Sequence, residues 1–139
     1  MNPAKLPDAE SLVAGLTVRD AMHHGIATCP PTASLREVAE LLSERRIHCA
    51  VVVDSAPDGP VWGIVSDLDL MRGLGSPVSL TAGNLAALEV VTVGAGDDLG
   101  HAAQLMAEHD VAHVLVVSDG DPVGILSTLD VARAVASGG

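Results

Sequence analysis

Aromatic residues are almost absent from this chain, and basic residues are few. The sequence contains no phenylalanine or tyrosine, and Trp62 is its only tryptophan. Seven lysine and arginine residues stand against eighteen aspartate and glutamate residues, which gives a net charge of -11. Such a chain repels phosphate backbones and has almost no rings on which bases could stack. The composition therefore argues against a nucleic-acid partner.

Long apolar runs are also missing. Although 48% of the 139 residues are hydrophobic, no run approaches the roughly 18 residues expected of a membrane span. The first residues lack the basic stretch and following apolar stretch that mark a signal peptide. These absences predict a soluble cytoplasmic protein without a membrane partner.

Patterns that mark an enzyme or a metal site are missing as well. The sequence has no Cys-x-x-Cys pair, no phosphate-binding glycine loop and no Ser-His-Asp arrangement. Cys29 and Cys49 lack a close spacing, so we expect two free buried thiols and leave a minor redox role open. His109 and His113 have the spacing of two metal ligands on a helix, but the predicted helix ends near Asp110. We therefore predict neither a catalytic residue nor a metal ligand.

The sequence does contain an internal repeat. Residues 63–69 read Gly-Ile-Val-Ser-Asp-Leu-Asp and return 61 positions later as Gly-Ile-Leu-Ser-Thr-Leu-Asp at residues 124–130. Earlier parts of the two copies match at an offset of 64, for example Thr28 with Thr92 and Leu35 with Leu99. The offset differs because the first copy has the longer turn between its last two strands, and a repeat of this kind indicates one structural unit used twice.

Each copy predicts the same order of elements. A threonine-capped turn, at Thr17 or Thr81, precedes a short strand, an amphipathic helix, two strands joined as a hairpin and a final helix. The amphipathic helix is capped by Ser34, with Glu37 three residues on, in the first copy and by Asp98 in the second. The predicted organisation is an N-terminal arm at residues 1–15, a first motif at 16–75 and a second motif at 76–137. Neither motif alone can cover both faces of its short sheet, so we expect an α/β fold whose motifs pack sheet to sheet.

Each hairpin runs into a helix that opens on Ser-x-x-Asp, with Ser66 and Asp69 in the first copy and Ser127 and Asp130 in the second. Two interpretations are open. The pair can be a capping box that only satisfies backbone donors at the start of the helix. Alternatively, backbone N–H groups, a hydroxyl and a carboxylate converge there to bind a ligand. The ligand interpretation gains from the repetition, because capping also accepts other residue types at both positions.

This order of elements and the paired Gly-apolar-apolar-Ser-x-x-Asp stretches resemble the CBS domain pair, also called a Bateman module, over residues 16–136. The resemblance implies two motifs related by a pseudo-twofold axis, each a short β-sheet with two helices. It also implies two clefts that bind adenosine compounds such as AMP, ADP, ATP or S-adenosylmethionine, and a disc-shaped homodimer. Such a module regulates another protein and requires no cofactor.

The resemblance assigns a role to each type of residue around these clefts. Carboxylates hold the ribose hydroxyls, since one carboxylate can accept two hydrogen bonds from a cis-diol. Serines at the helix start lie near the phosphates, and threonines face the ligand from the first strand. Residues 47–50 and 111–114 lie along the adenine. The implied ligand-binding residues are Asp69, Ser66, Thr28, Ile47, His48 and Ala50, and in the second copy Asp130, Ser127, Thr128, Thr92, Val111 and His113.

His48 occupies a position where some AMP-binding members have a histidine followed by an arginine that touches phosphate. Here Cys49 replaces that arginine, and His113 aligns with Cys49 rather than with His48. Both histidines therefore remain open to two interpretations, a phosphate contact or a structural, solvent-facing role. His23 and His24 are predicted to lie in a solvated surface loop.

The two Ser-x-x-Asp stretches differ in charge. Asp67 adds a second negative charge beside any phosphate bound by the first copy, whereas Thr128 is neutral. Arg72 and Arg133 follow the two aspartates by three residues and could offset that charge, but a solvated helix face is the favoured role. We therefore expect the second copy to bind a phosphorylated adenosine more tightly than the first.

Two functions from different classes fit these observations. The leading prediction is a non-catalytic regulatory sensor that binds an adenosine compound and passes its occupancy to an unknown effector protein. The alternative is a ligand-free docking module that serves dimerisation or a protein partner.

Overall fold

The computed structural model describes residues 12–54 and 59–138. Most of the predicted N-terminal arm and the centre of the first hairpin turn lie outside these residues. The helices are α1 Val18–Ala21, α2 Leu35–Arg45, α3 Asp67–Leu74, α4 Ala82–Leu85, α5 Leu99–His109 and α6 Thr128–Gly138. The strands are β1 His23–His24, β2 Thr28–Cys29, β3 Cys49–Val53, β4 Val61–Ser66, β5 Thr92–Gly94, β6 His113–Ser118 and β7 Asp121–Ser127.

The first copy forms a three-stranded sheet in the order β2-β3-β4. Strand β3 pairs in parallel with β2 and antiparallel with β4, which confirms the predicted hairpin. All five residues of β3 are buried, as expected for the apolar central strand. Helix α2 starts at the predicted capping box, in which the Glu37 N–H donates to Ser34 Oγ at 3.1 Å.

The second copy forms a sheet of four strands in the order β1-β7-β6-β5. The additional strand is β1, whose residues His23 and His24 pair antiparallel with Ile125 and Gly124 of β7. The prediction that the two histidines lie in a surface loop was therefore wrong. A two-residue strand has no periodicity of its own, and its partner lies about a hundred residues further along the chain, so local sequence could not reveal it.

The chain separates into two compact units, one formed by residues 26–90 and the other by the described parts of 1–25 and 91–139. The turn that precedes each copy packs with the other copy. Val18 N–H donates to Asp97 O at 2.9 Å, and Ala82 N–H donates to Ala33 O at 2.9 Å. The motif boundaries predicted from the repeat, 16–75 and 76–137, therefore stay a prediction about the repeated stretch of sequence. The compact units divide the chain at other positions.

Each unit has its own apolar core. The core of the unit that contains the second copy includes Leu99, Val114 and Leu126, which are fully buried. The corresponding core of the other unit includes Val38 and Val65. Burial of one such side chain contributes about 1.5–3 kcal/mol, so each core can hold a short sheet against its helices. This packing confirms the predicted α/β class and fixes where each hairpin meets its final helix.

Candidate functional site

The candidate site consists of two strand-helix junctions. The first junction, residues 66–69, joins β4 to α3, and the second junction, residues 127–130, joins β7 to α6. At the first junction the Asp67 N–H donates to His48 O at 2.8 Å, and at the second the Thr128 N–H donates to Ala112 O at 3.0 Å. Each helix start is thereby tied to the segment that enters the middle strand of its sheet.

The first junction contains a complete capping box. The N–H and the hydroxyl of Ser66 both donate to Asp69 Oδ2, at 2.9 and 3.0 Å, and the Asp69 N–H donates to Ser66 Oγ at 3.2 Å. The other carboxylate oxygen, Oδ1, accepts a hydrogen bond from Arg72 Nη1 at 3.2 Å. The capping interpretation is therefore realised in the structure. Arg72 is exposed, as favoured from the sequence, but its guanidinium also pairs with the carboxylate.

The second junction repeats the cap but surrounds its carboxylate differently. The Ser127 N–H donates to Asp130 Oδ2 at 2.8 Å, and the Asp130 N–H donates to Ser127 Oγ at 3.1 Å. Asp130 Oδ1 lies 3.6 Å from His23 Nε2 and 3.8 Å from Arg133 Nη1. The Asp130 side chain is only 4% exposed, which makes it the one buried charged residue among those described. These basic groups partly offset the cost of burying the charge, although both distances are longer than a hydrogen bond.

His48 and Asp67 form a pair at the first junction. His48 Nδ1 lies 2.8 Å from Asp67 Oδ2, and Asp67 Oδ1 accepts a hydrogen bond from the Leu68 N–H at 2.8 Å. Both side chains are more than half exposed. The additional negative charge predicted at this junction therefore has a partner, which is cationic only when the imidazole is protonated. His48 thus contacts the junction, and its predicted phosphate contact stays a prediction.

A family model for the CBS domain matches residues 18–76 and 82–137. The chain belongs to the CBS domain family. This match confirms the predicted resemblance to the CBS domain pair. Each junction lies near the C-terminal end of one of the two CBS motifs.

The chain is similar to curated proteins of different length. Over 121 residues the chain is 30% identical to hypoxic response protein 1 of Mycobacterium tuberculosis, which covers 84% of this chain and 83% of that protein. It is also 30% identical to homoserine O-acetyltransferase of Methanohalophilus mahii over 125 residues, which is 88% of this chain. The chain spans only 25% of that acetyltransferase.

A solved relative carries a nucleotide. The structure of a CBS domain protein from Pyrobaculum aerophilum complexed with AMP is 27% identical in sequence and superposes with a TM-score of 0.75. The match covers 88% of this chain and 99% of that one. The likeness therefore extends over nearly the whole CBS domain pair.

The structure brings several other predicted residues of the CBS motifs to the junctions. Cys49, beside His48 and Ala50, pairs with Ser66 across the hairpin, and His113 pairs with Ser127 in the same way. Ala50 is buried, whereas Ile47 and Val111 are partly buried against the two cores. Thr28 and Thr92 lie farther away, since each is on a strand separated from its junction by the middle strand. Their predicted ligand contacts remain predictions.

A pocket of about 270 Å³ lies beside the second junction of this CBS domain pair. It is mainly apolar, with Met106 of α5, Val111, and Thr128 and Val131 of α6 among its lining residues. Val111 and Thr128 were both predicted to bind the ligand. The volume is just below the roughly 300–1,000 Å³ typical of small-molecule sites. The pocket therefore offers a partial, mainly apolar enclosure beside Thr128, with Asp110 as an acidic residue in its lining.

His23 was not predicted as a neighbour of Asp130. One signal could have found it: at the repeat offset of 64, His23 corresponds to Ala87, and Ala87 forms a β-bridge with Ile64. Because the first capped turn packs with the second copy, His23, which follows that turn, lies at the second junction. Such an exchange depends on contacts distant in sequence, which motif spacing does not reveal.

Cys29 and Cys49 are both buried, as predicted. Desolvation, together with the charge of Glu37, raises the pKa of the Cys29 thiol. Within residues 12–54 and 59–138, no cluster of three or more histidine, cysteine or acidic side chains has the arrangement of a metal site. No helix in that part of the chain is long and apolar enough to cross a membrane.

Proposed function

We propose that this CBS domain pair is a non-catalytic regulatory module that binds an adenosine compound at its strand-helix junctions. The compound is AMP, ADP, ATP or S-adenosylmethionine, and its ribose diol is held by Asp69 or Asp130. Ser66 and Ser127 lie beside the phosphate or its substitute. The bound state regulates an effector protein in the cytoplasm, and no cofactor is required.

One observation carries this proposal: each junction holds a capped carboxylate whose second oxygen is directed to basic side chains. At both junctions Oδ2 satisfies the helix cap, while Oδ1 is near an arginine. A carboxylate accepts about four hydrogen bonds, so the cap leaves acceptor capacity for a diol. The AMP complex of the Pyrobaculum aerophilum relative supports the choice of an adenosine compound.

We further propose that the second junction binds a phosphorylated adenosine more tightly than the first. Asp67 places a second carboxylate at the first junction, and its pairing with His48 offsets that charge only in the protonated imidazole. The second junction has Thr128 at the corresponding place. A phosphate therefore approaches the second junction with less repulsion.

Thermal unfolding against a panel of ligands tests the proposal. The panel contains AMP, ADP, ATP, S-adenosylmethionine, NAD and GTP. A compound present at one hundred times its Kd adds about 2.7 kcal/mol, and about 8–11 °C in Tm for a chain of this length. No shift with any member of the panel would contradict the proposed ligand class.

Two matched variants test the residues and the ranking. Asp130→Ala should weaken AMP binding by about tenfold to a hundredfold, because a hydrogen bond to a charged group contributes about 1.5–3 kcal/mol. Asp69→Ala should have a smaller effect on the tightest site. Glu37→Ala is the control, since it removes the corresponding acid from the capping box of α2. A loss of binding with Asp69→Ala and none with Asp130→Ala would reverse the ranking.

A docking module that forms a homodimer is the second candidate, and exposed apolar side chains favour it. Leu68, Met71 and Leu74 of α3 are all more than half exposed, and Leu129 of α6 is nearly so. The three residues of α3 recur at the spacing of one helix face, which a second copy of the chain could cover. Light scattering after size exclusion should show a dimer, and Met71→Glu should yield a monomer. A wild-type monomer would remove this candidate.

A further inference from the structure

His23 is fixed beside the second junction by its backbone. Strand β1 pairs with β7, so that His23 lies opposite Ile125, and the following Gly25 N–H donates to Val123 O at 2.7 Å. The His23 side chain is 66% exposed, yet its Nε2 lies 3.6 Å from the buried Asp130 carboxylate. An imidazole is thus held at the mouth of the junction, with one edge at the carboxylate and the rest in solvent.

At the first junction the described residues place no imidazole beside Asp69; His48 lies beside Asp67 instead. Ala87 occupies the corresponding place, where its N–H donates to Ile64 O at 2.9 Å and its carbonyl accepts from the Ile64 N–H at 3.1 Å. The backbone arrangement is therefore repeated, while the imidazole at this position is not. Two similar junctions with different ionisable side chains differ in the ligands they favour.

The charges of the two junctions differ accordingly. One carboxylate, Asp130, faces Arg133 and His23 at the second junction. The first junction has two carboxylates, Asp67 and Asp69, with Arg72 and His48 as their partners. Among these ion pairs the second junction therefore has one carboxylate where the first has two, and each junction has one arginine and one histidine. A phosphate dianion gains from that difference, whereas an uncharged ribose does not.

We propose that His23 is a specificity-determining residue, which together with Arg133 makes the second junction favour adenosine compounds that carry a phosphate over those that do not. The inference rests on the proposed function, because it assumes that Asp130 holds the ribose diol. Only a few bonds separate that diol from a phosphate on the same ribose. The exposed imidazole and the flexible guanidinium can therefore turn from the carboxylate to the phosphate oxygens. Both then donate charge-assisted hydrogen bonds.

Calorimetric titration with adenosine and with AMP measures the contribution of the phosphate directly. All titrations use a background that carries Asp69→Ala, so that binding at the first junction is weakened. The quantity compared is the ratio of the adenosine Kd to the AMP Kd. His23→Ala should lower this ratio by about tenfold, as expected for one charge-assisted hydrogen bond. His23→Gln, which keeps a donor without the charge, should give an intermediate ratio.

His24→Ala is the matched control, because adjacent residues of a strand point to opposite faces. It should leave the ratio and both Kd values within about twofold of the background. An unchanged ratio in His23→Ala overturns the role of His23 and leaves the proposed function standing. Equal weakening of adenosine and AMP by both His23 variants also overturns it, since that result indicates a structural role. Failure of the wild-type chain to bind either compound overturns the proposed function and this inference together.

Discussion

The substitution Asp130→Ala should destabilise the ligand-free protein more than the loss of an ordinary helix cap. It removes Asp130 Oδ2, which accepts a hydrogen bond from the Ser127 N–H at 2.8 Å. The Asp130 side chain is only 4% exposed. A partly buried donor left without its acceptor costs about 1–3 kcal/mol. The contacts of Asp130 Oδ1 with His23 and Arg133, at 3.6 and 3.8 Å, are too long to add much. We therefore expect Tm to fall by about 3–12 °C.

Glu37→Ala provides the scale for that comparison. Glu37 occupies the same place in the capping box of α2, where its Oε1 accepts the Ser34 N–H at 3.2 Å in an exposed position. Water can replace this acceptor, so the expected cost is only about 0.5–1 kcal/mol, or roughly 2–4 °C in Tm. Thermal and urea unfolding, followed by circular dichroism without ligand, measure both variants under the same conditions.

Equal losses in the two variants would refute the reasoning. They would show that burial of the second junction adds nothing to its cap. A loss in Asp130→Ala that appears as a changed urea dependence, with no change in midpoint, would indicate an altered unfolded state instead.

Three further predictions concern single substitutions. Asp67→Thr should tighten AMP binding at the first junction by about threefold to tenfold, because it removes a like charge. Calorimetry measures the Kd, with Asp121→Asn as the control. Equal AMP affinities in the two variants would contradict the prediction. Gly124→Ala should lower Tm and detach β1, because an added Cβ would collide with the His23 carbonyl. Gly96→Ala is the control and should change Tm little, since a Cβ there would have no other atom within 4 Å. Similar Tm values for the two variants would contradict the prediction. Burial, and to a smaller extent the charge of Glu37, raise the pKa of the Cys29 thiol above its ordinary value of 9.0. The protonated thiol therefore stabilises the folded state below pH 9.0, and this contribution is lost as the pH rises through the higher pKa of the folded state. Urea unfolding from about pH 8 to 10.5 should therefore show a steeper loss of stability for wild type than for Cys29→Ala, and parallel curves would count against it.

Local patterns predicted much of the fold because they are set by neighbours in sequence. The caps at Ser34 and Asp98, the apolar strand β3 and both hairpins required only the residues around them. The end of α5 at His109, before β6 begins at His113, was also correct. These features combine short-range hydrogen bonds with periodic apolar residues, which a single sequence displays directly.

The exchange of the capped turns could not be predicted in this way. The Thr17 turn hydrogen-bonds with the loop before α5, and the Thr81 turn with the loop before α2. Both turns have the same local signal, a threonine followed three residues later by Asp20 or Asn84. That signal predicts the turn and contains no information about which copy it contacts. His23 follows the first turn and was misplaced for this reason.

The same limit applied to the candidate site. Repetition of Ser and Asp located both junctions. The structure shows the cap on Oδ2 of each aspartate, whereas a ligand contact at Oδ1 stays a prediction. Sequence spacing placed Arg72 and Arg133 three residues after the aspartates, but only coordinates separate a hydrogen bond at 3.2 Å from an approach of 3.8 Å. The two arginine neighbours were therefore predictable, whereas the neighbour His23 and the strength of the contacts were not.

That difference in distance provides a separate reason for the ranking of the two junctions. A ribose diol that binds Asp69 Oδ1 must displace the hydrogen bond from Arg72. The contacts of Asp130 Oδ1 with the described residues His23 and Arg133 are longer, at 3.6 and 3.8 Å. The Arg72 side chain is exposed and that of Asp69 is partly buried, and a pair near the surface contributes about 1 kcal/mol, or roughly fivefold in affinity. Arg72→Ala should therefore improve adenosine binding at the first junction by up to about fivefold, whereas Arg133→Ala should not improve it at the second. Since adenosine has no phosphate, calorimetry with this compound separates displacement of the arginine from repulsion by Asp67, and weaker binding in Arg72→Ala would show that the guanidinium assists the ligand instead.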